Sequence, residues 1–221
     1  MRTISITLIF ALCWATLAFG TPYGDQIIET AKSYSYVREQ TNHNDAPQID
    51  GWMKYLGLDN AGQIRSTGTG FSWCMGFVQG MYREVYAIYS KRVPLPRSAR
   101  VSDVYKMAKK DKYRYQVFTA KQVESGAVKL KVADVMICSH NKRTDNFDGH
   151  TGLVIAQNSK AYFRTIEGNT GPSSNANDQR EQTGTNKKVE MNGGVRFKDR
   201  TVRPRSPTFC VEGFIRTLDK S

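Results

Sequence analysis

The apolar residues of this chain change their period part way along, and that change limits the folds open to it. Up to about residue 110 they recur every three or four positions; beyond it they gather in short β-branched and aromatic runs separated by polar turns. The first spacing builds helices with one buried face, and the second builds strands. Helices followed by strands predict an α+β fold with an antiparallel sheet. Helices are expected over 25–40, where Ile27, Ile28, Ala31, Tyr34 and Val37 share a face, over 49–58, over 74–89 and over 101–110. Residues 61–70, rich in Gly, Ser and Thr, read as a loop, and 109–115 as a basic, tyrosine-bearing stretch. Strands are expected over 127–138, 151–157, 161–167, 194–198 and 208–216, with a polar loop over 171–194.

The amino terminus reads as an export signal. Arg2 precedes a largely apolar run over residues 4–19, and Ala18 and Gly20 are small residues where a signal is cut. The run is shorter than the roughly 20 apolar residues of a membrane span. The expected organisation is a signal peptide over 1–20, cleaved after Gly20, and one domain over 21–221, secreted or periplasmic. A mean hydropathy of −0.51 fits a soluble domain.

The chain carries 32 Lys and Arg against 20 Asp and Glu, a net charge of +12. Removing residues 1–20 takes only Arg2 from that balance and leaves +11. Such a surface attracts polyanions: nucleic acid, anionic lipid or an acidic wall polymer. Export disfavours nucleic acid, and no zinc-ligand spacing or RNA-binding aromatic motif is present. No cofactor or metal is expected, apart from a weak calcium candidate over 145–148.

Cleavage would remove Cys13 and leave Cys74, Cys138 and Cys210, an odd number for an oxidising compartment. Cys138 and Cys210 both lie in runs expected to be buried strands. Two readings stay open: a bridge between them, or two buried thiols.

Cys74 opens the helical pattern of Phe77, Val78, Met81, Tyr82 and Val85, which puts it in the first turn. A thiol attacks as thiolate, and the unpaired N–H groups of a helix amino terminus favour negative charge. It also needs a base, and histidine suits neutral pH. Of His43, His140 and His150, the first two read as surface residues, whereas His150 opens the apolar strand His150-Thr151-Gly152-Leu153-Val154-Ile155. Glu167 or Asn169, at the end of the next strand, would orient the ring. If Asn158 and Ser159 form a two-residue hairpin turn, Gln157 pairs with Lys160 and His150 stands opposite Glu167; a one-residue slip breaks that alignment. The bland alternative is a buried cysteine, a core histidine and a surface acid.

Four segments occur here in a shared order: Trp73-Cys74-Met75-Gly76-Phe77-Val78, then His150 to Ile155, then Thr165-Ile166-Glu167-Gly168-Asn169-Thr170, then Gly213-Phe214-Ile215. That order resembles the CHAP-domain family of cysteine, histidine-dependent amidohydrolases and peptidases. The stretch from Val37 to Leu58 is similar to the helical lead-in of bacterial and phage members. The resemblance implies a papain-like fold, Cys74 as nucleophile, His150 as base, and Glu167 with Asn169 as the polar groups that hold the histidine. It also implies peptidoglycan amide bonds as substrate. The chain departs from the family at Ala133, where glycine is usual, at 69–72, and in the longer stretch 139–149. A protein substrate, as for a protease or deamidase toxin, and a catalytically silent basic wall-binding module remain the alternatives.

Overall fold

The protein is described by a computed structural model over residues 21–140, 147–171, 192–203 and 209–218. The expected signal peptide and its cleavage site, Asp145 of the calcium candidate and most of the 171–194 loop lie outside the described residues.

The fold is a mixed α+β one. Helices α1 (Gly24–Ser33), α2 (Pro47–Tyr55), α3 (Asn60–Thr67), α4 (Cys74–Ile88) and α5 (Val101–Lys110) precede most of the sheet. Strand β1 (Tyr115–Thr119) and the short α6 (Ala120–Glu124) lead into β2 (Val135–His140), β3 (Asp148–Gln157), β4 (Tyr162–Thr170), β5 (Gly194–Thr201) and β6 (Cys210–Thr217). The six strands form one sheet in the order β1-β6-β2-β3-β4-β5, and every neighbouring pair is antiparallel.

The strands are apolar on both sides because the sheet separates two cores. Val135, Ile137, Leu153, Ile166 and Ile215 face the helical layer with Trp73, Phe77 and Met81 of the α4 region. Met136, Cys138, Val154, Phe163 and Phe214 alternate with them and join Val123 of α6 and Phe118 on the other side. Glycines set how closely α4 sits. A Cβ on Gly80 would come 2.4 Å from the Trp52 ring of α2, and one on Gly168 would come 2.6 Å from both Trp73 and Phe77. The first turn of α4 therefore rests directly on β4.

Several expectations change. Residues 61–70 fold into α3 rather than a loop: Asp59 accepts the Gly62 N–H at 2.9 Å, and Gly68 ends the helix in the left-handed region at φ 80°. Only Asn60 of this helix is buried, so it lacks the apolar stripe that marks a helix in sequence. The first helix stops at Ser33 instead of reaching residue 40, because the backbone beyond it pairs with β5: Glu39 N–H donates to Gly193 at 2.8 Å and Val195 N–H to Val37 at 3.0 Å. Strand 127–138 shortens to Val135–His140 and is preceded by Ala133 at φ 62°. The backbone at Ala133 thus takes the conformation in which glycine is at ease.

No bridge joins Cys138 and Cys210; they are two buried thiols. On the paired strands Cys210 stands opposite Ser139, and Cys138 opposite Val211. Successive side chains alternate faces, so the two sulfurs point to opposite sides of the sheet.

Candidate functional site

Cys74 is the first residue of α4, 4 % exposed, and its sulfur lies 3.9 Å from the Gly149 carbonyl on β3. His150 follows on the same strand, across from Cys138 of β2. Its Nε2 is 2.7 Å from Glu167 Oε2, and Cys74 is a further hydrogen-bond partner of the ring. With Nε2 engaged by the carboxylate, Nδ1 is the nitrogen left for sulfur.

The route by which Glu167 reaches His150 differs from the expected hairpin. Gln157 pairs with Phe163, not Lys160, and Asn158 and Ser159 both donate backbone N–H groups to the Tyr162 carbonyl in a longer turn. That moves the register by three residues and would turn Glu167 to the wrong face. A bulge between Val154 and Ala156 takes one residue back, leaving a net shift of two. Because side chains repeat every two residues, Glu167 returns to the face of His150, one pleat away rather than directly opposite. Gly152 fills the position between: a Cβ there would lie 2.4 Å from Glu167 Cγ. The missing side chain is what lets Glu167 lean across to the ring.

Glu167 is fully buried, and three groups converge on it. Arg200 of β5 donates from Nε to Oε1 at 2.7 Å and from its terminal nitrogen to Oε2, and the Thr165 hydroxyl donates to Oε1 at 2.5 Å. Burial alone would raise this carboxyl, but the Arg200 charge and hydrogen bonds, with the bond to His150, hold it well below the usual carboxylate range. Burial would lower His150; its hydrogen bonds to Cys74 and Glu167 and their negative charges outweigh that and push it up to about 9. The arrangement is thus a protonated imidazole held between a sulfur and a buried carboxylate.

Asn169 lies in the same cleft but on other partners. With its amide set by its neighbours, the nitrogen donates to Glu39 Oε1 at 3.3 Å and Asn44 Oδ1 at 3.2 Å, and the oxygen accepts the Trp73 N–H at 3.2 Å. Glu39 also accepts from Trp73 Nε1 at 3.0 Å. These groups secure the residue before Cys74; no hydrogen bond from Asn169 to His150 is seen among the described residues. At φ 54° Asn169 adopts a conformation that asparagine tolerates well.

The cleft, about 410 Å³, is walled by Leu58, Phe71, Ala99 and Phe147 around Cys74 and His150. His140, expected on the surface, is exposed at the end of β2 and borders this cleft, its ring 6.4 Å from that of His150. His43 is exposed. Sequence reasoning missed Arg200, Thr165, Glu39 and Phe209, over whose ring the Arg200 guanidinium sits at 5.0 Å. Among the described residues no group of three acidic, histidine or cysteine side chains could hold a metal, and no helix is long and apolar enough to cross a membrane. No family model and no curated protein matches this chain.

Proposed function

We propose that this protein is an exported cysteine hydrolase of the CHAP type, papain-like in fold, that cuts amide bonds of peptidoglycan. The observation that carries the reading is the chain of contacts from Cys74, at the start of α4, through the His150 ring to the buried, ionised Glu167, at the wall of an open cleft. A nucleophile, a proton carrier and an orienting acid in series are what acyl transfer from an amide requires. The substrate class rests on the motif resemblance and on the net charge of +12, which suits an acidic wall polymer.

In this mechanism Cys74 sulfur adds to the amide carbonyl while His150 holds the proton between Nδ1 and the leaving group. The tetrahedral oxyanion forms beside the amino terminus of α4, where the Cys74 N–H favours negative charge. Collapse breaks the C–N bond, and His150 gives its proton to the departing amine. Water, deprotonated by the now neutral ring, then cleaves the thioester, freeing the acid and restoring the sulfur nucleophile and the protonated ring. Glu167 stays ionised throughout and keeps the ring oriented.

The test is incubation of purified peptidoglycan with the protein and its Cys74→Ala variant, followed by mass analysis of soluble fragments. New fragments from the wild type alone are expected, and their masses identify the bond. Equal release by the variant, or none by either while Cys74 still takes an alkylating probe, overturns the proposal.

A further inference from the structure

A second depression, about 530 Å³, is rich in cations. Arg92, Arg97, Lys110 and Arg114 line it, with Asp111 as the one acid among the described residues and Tyr55 as an aromatic wall. Asp111 is occupied by Arg114, whose Nε lies 2.5 Å from its carboxylate. Among the described residues no carboxylate pairs with Arg92, Arg97 or Lys110, and all three are exposed. The Arg97 guanidinium stacks on the Tyr55 ring at 5.2 Å, with Arg83 on the same ring at 5.0 Å. Stacking holds the planar fork of Arg97 in place while leaving its N–H groups for a ligand.

Two segments tie this groove to the cleft. Tyr55 and Arg97 line the groove, whereas Leu58 and Arg100 line the cleft beside Cys74. Each pair is three residues apart, so their backbones lie within about 11 Å of each other. Arg100 is exposed where it lines the cleft, and Asp148 is the only acid lining the cleft among the described residues. An extended substrate held at Cys74 and running along these two segments would meet Arg100 and then Arg97.

We infer that the groove formed by Arg92, Arg97 and Lys110 is a subsite for a carboxylate of the substrate, carried on an acidic peptide stem beyond the bond that is cut. The inference builds on the hydrolase reading, and supplies the substrate feature that reading lacks. Guanidinium groups bind carboxylates through paired N–H donors, and the uncompensated charge favours the ionised acid over its amide.

The experiment uses soluble disaccharide-peptide fragments of purified wall, with stem carboxylates either free or amidated. Their binding to the full-length Cys74→Ala protein is measured by calorimetry at low salt. The free acid is expected to bind about five- to tenfold tighter than the amide, and the preference should vanish in the same protein carrying Arg97→Gln and Lys110→Gln. Equal binding of the two fragments, or a preference that survives the double substitution, overturns the inference. So does competition by a phosphodiester polymer when free and amidated fragments bind alike. Hydrolysis by the wild type is scored separately: silence there with selective binding here defeats the catalytic proposal and leaves the subsite standing.

Discussion

At the scale of single residues, the site depends on one buried charge. Glu167 stays ionised because Arg200 reaches it from β5, and its charge helps keep His150 protonated to about pH 9. Two consequences follow for pH. The kcat/KM of the hydrolase should fall above about pH 9, as His150 loses the proton it gives to the leaving amine. Glu167→Gln removes the charge but keeps the shape, so that limb should move to lower pH and kcat/KM should drop about 10- to 100-fold; a pH profile of the variant decides it, and an unmoved limb would show that Glu167 does not tune the ring. For stability the sign is equally definite. Folding raises His150 from 6.5 to about 9, so the stabilisation from its partners is complete below about pH 6.5 and is lost as pH rises through 9. Urea unfolding at pH 6 and pH 9.5 measures that loss.

At the scale of elements, the site is assembled by close approach. Gly168 lets Trp73 and Phe77 of the α4 region lie on β4, and Gly152 lets Glu167 cross one pleat of β3. Gly168→Ala should therefore cost about 1–3 kcal/mol and slow alkylation of Cys74, because the start of α4 must lift from the sheet. Thermal unfolding and the labelling rate check this together; a variant as stable and as reactive as the wild type would mean the contact relaxes freely. The bulge near Ile155 works at the same scale. Its sequence, Val154-Ile155-Ala156, is ordinary strand, so neither the bulge nor the two-residue shift could be read from residue types. Helix α6 was not expected from the apolar pattern, although its start carries a local signal: Thr119 and Gln122 form a capping box, with Thr119 N–H donating to Gln122 Oε1 at 2.9 Å.

Over the whole molecule, one sheet divides two cores, and a buried ion pair locks β6 to the turn before β2. Arg216 donates to both oxygens of Asp134, at 2.8 Å and 2.6 Å, and the two residues are 2 % and 0 % exposed. Burial outweighs the arginine and pushes the Asp134 carboxyl above its usual range. Removing one partner leaves the other stranded, so Arg216→Ala should destabilise the protein by about 3–5 kcal/mol. Chemical denaturation measures it, and a loss below about 1 kcal/mol would show that water enters and satisfies Asp134.

The sequence by itself determined that helices precede most of an antiparallel sheet, because apolar period follows directly from which faces are buried, but it did not announce α3, β1 or α6. It also singled out Cys74, His150 and Glu167, since a helix start, a strand start and the next strand end are local signals. Only the tertiary structure decided that these three meet. Their contact needs a bulge that restores register, two glycines that admit close neighbours, and Arg200 brought 33 residues along the chain to the Glu167 carboxylate. It likewise decided that Cys138 and Cys210 stay apart, because the faces of paired strands are set by register, and register is a property of the sheet rather than of either strand.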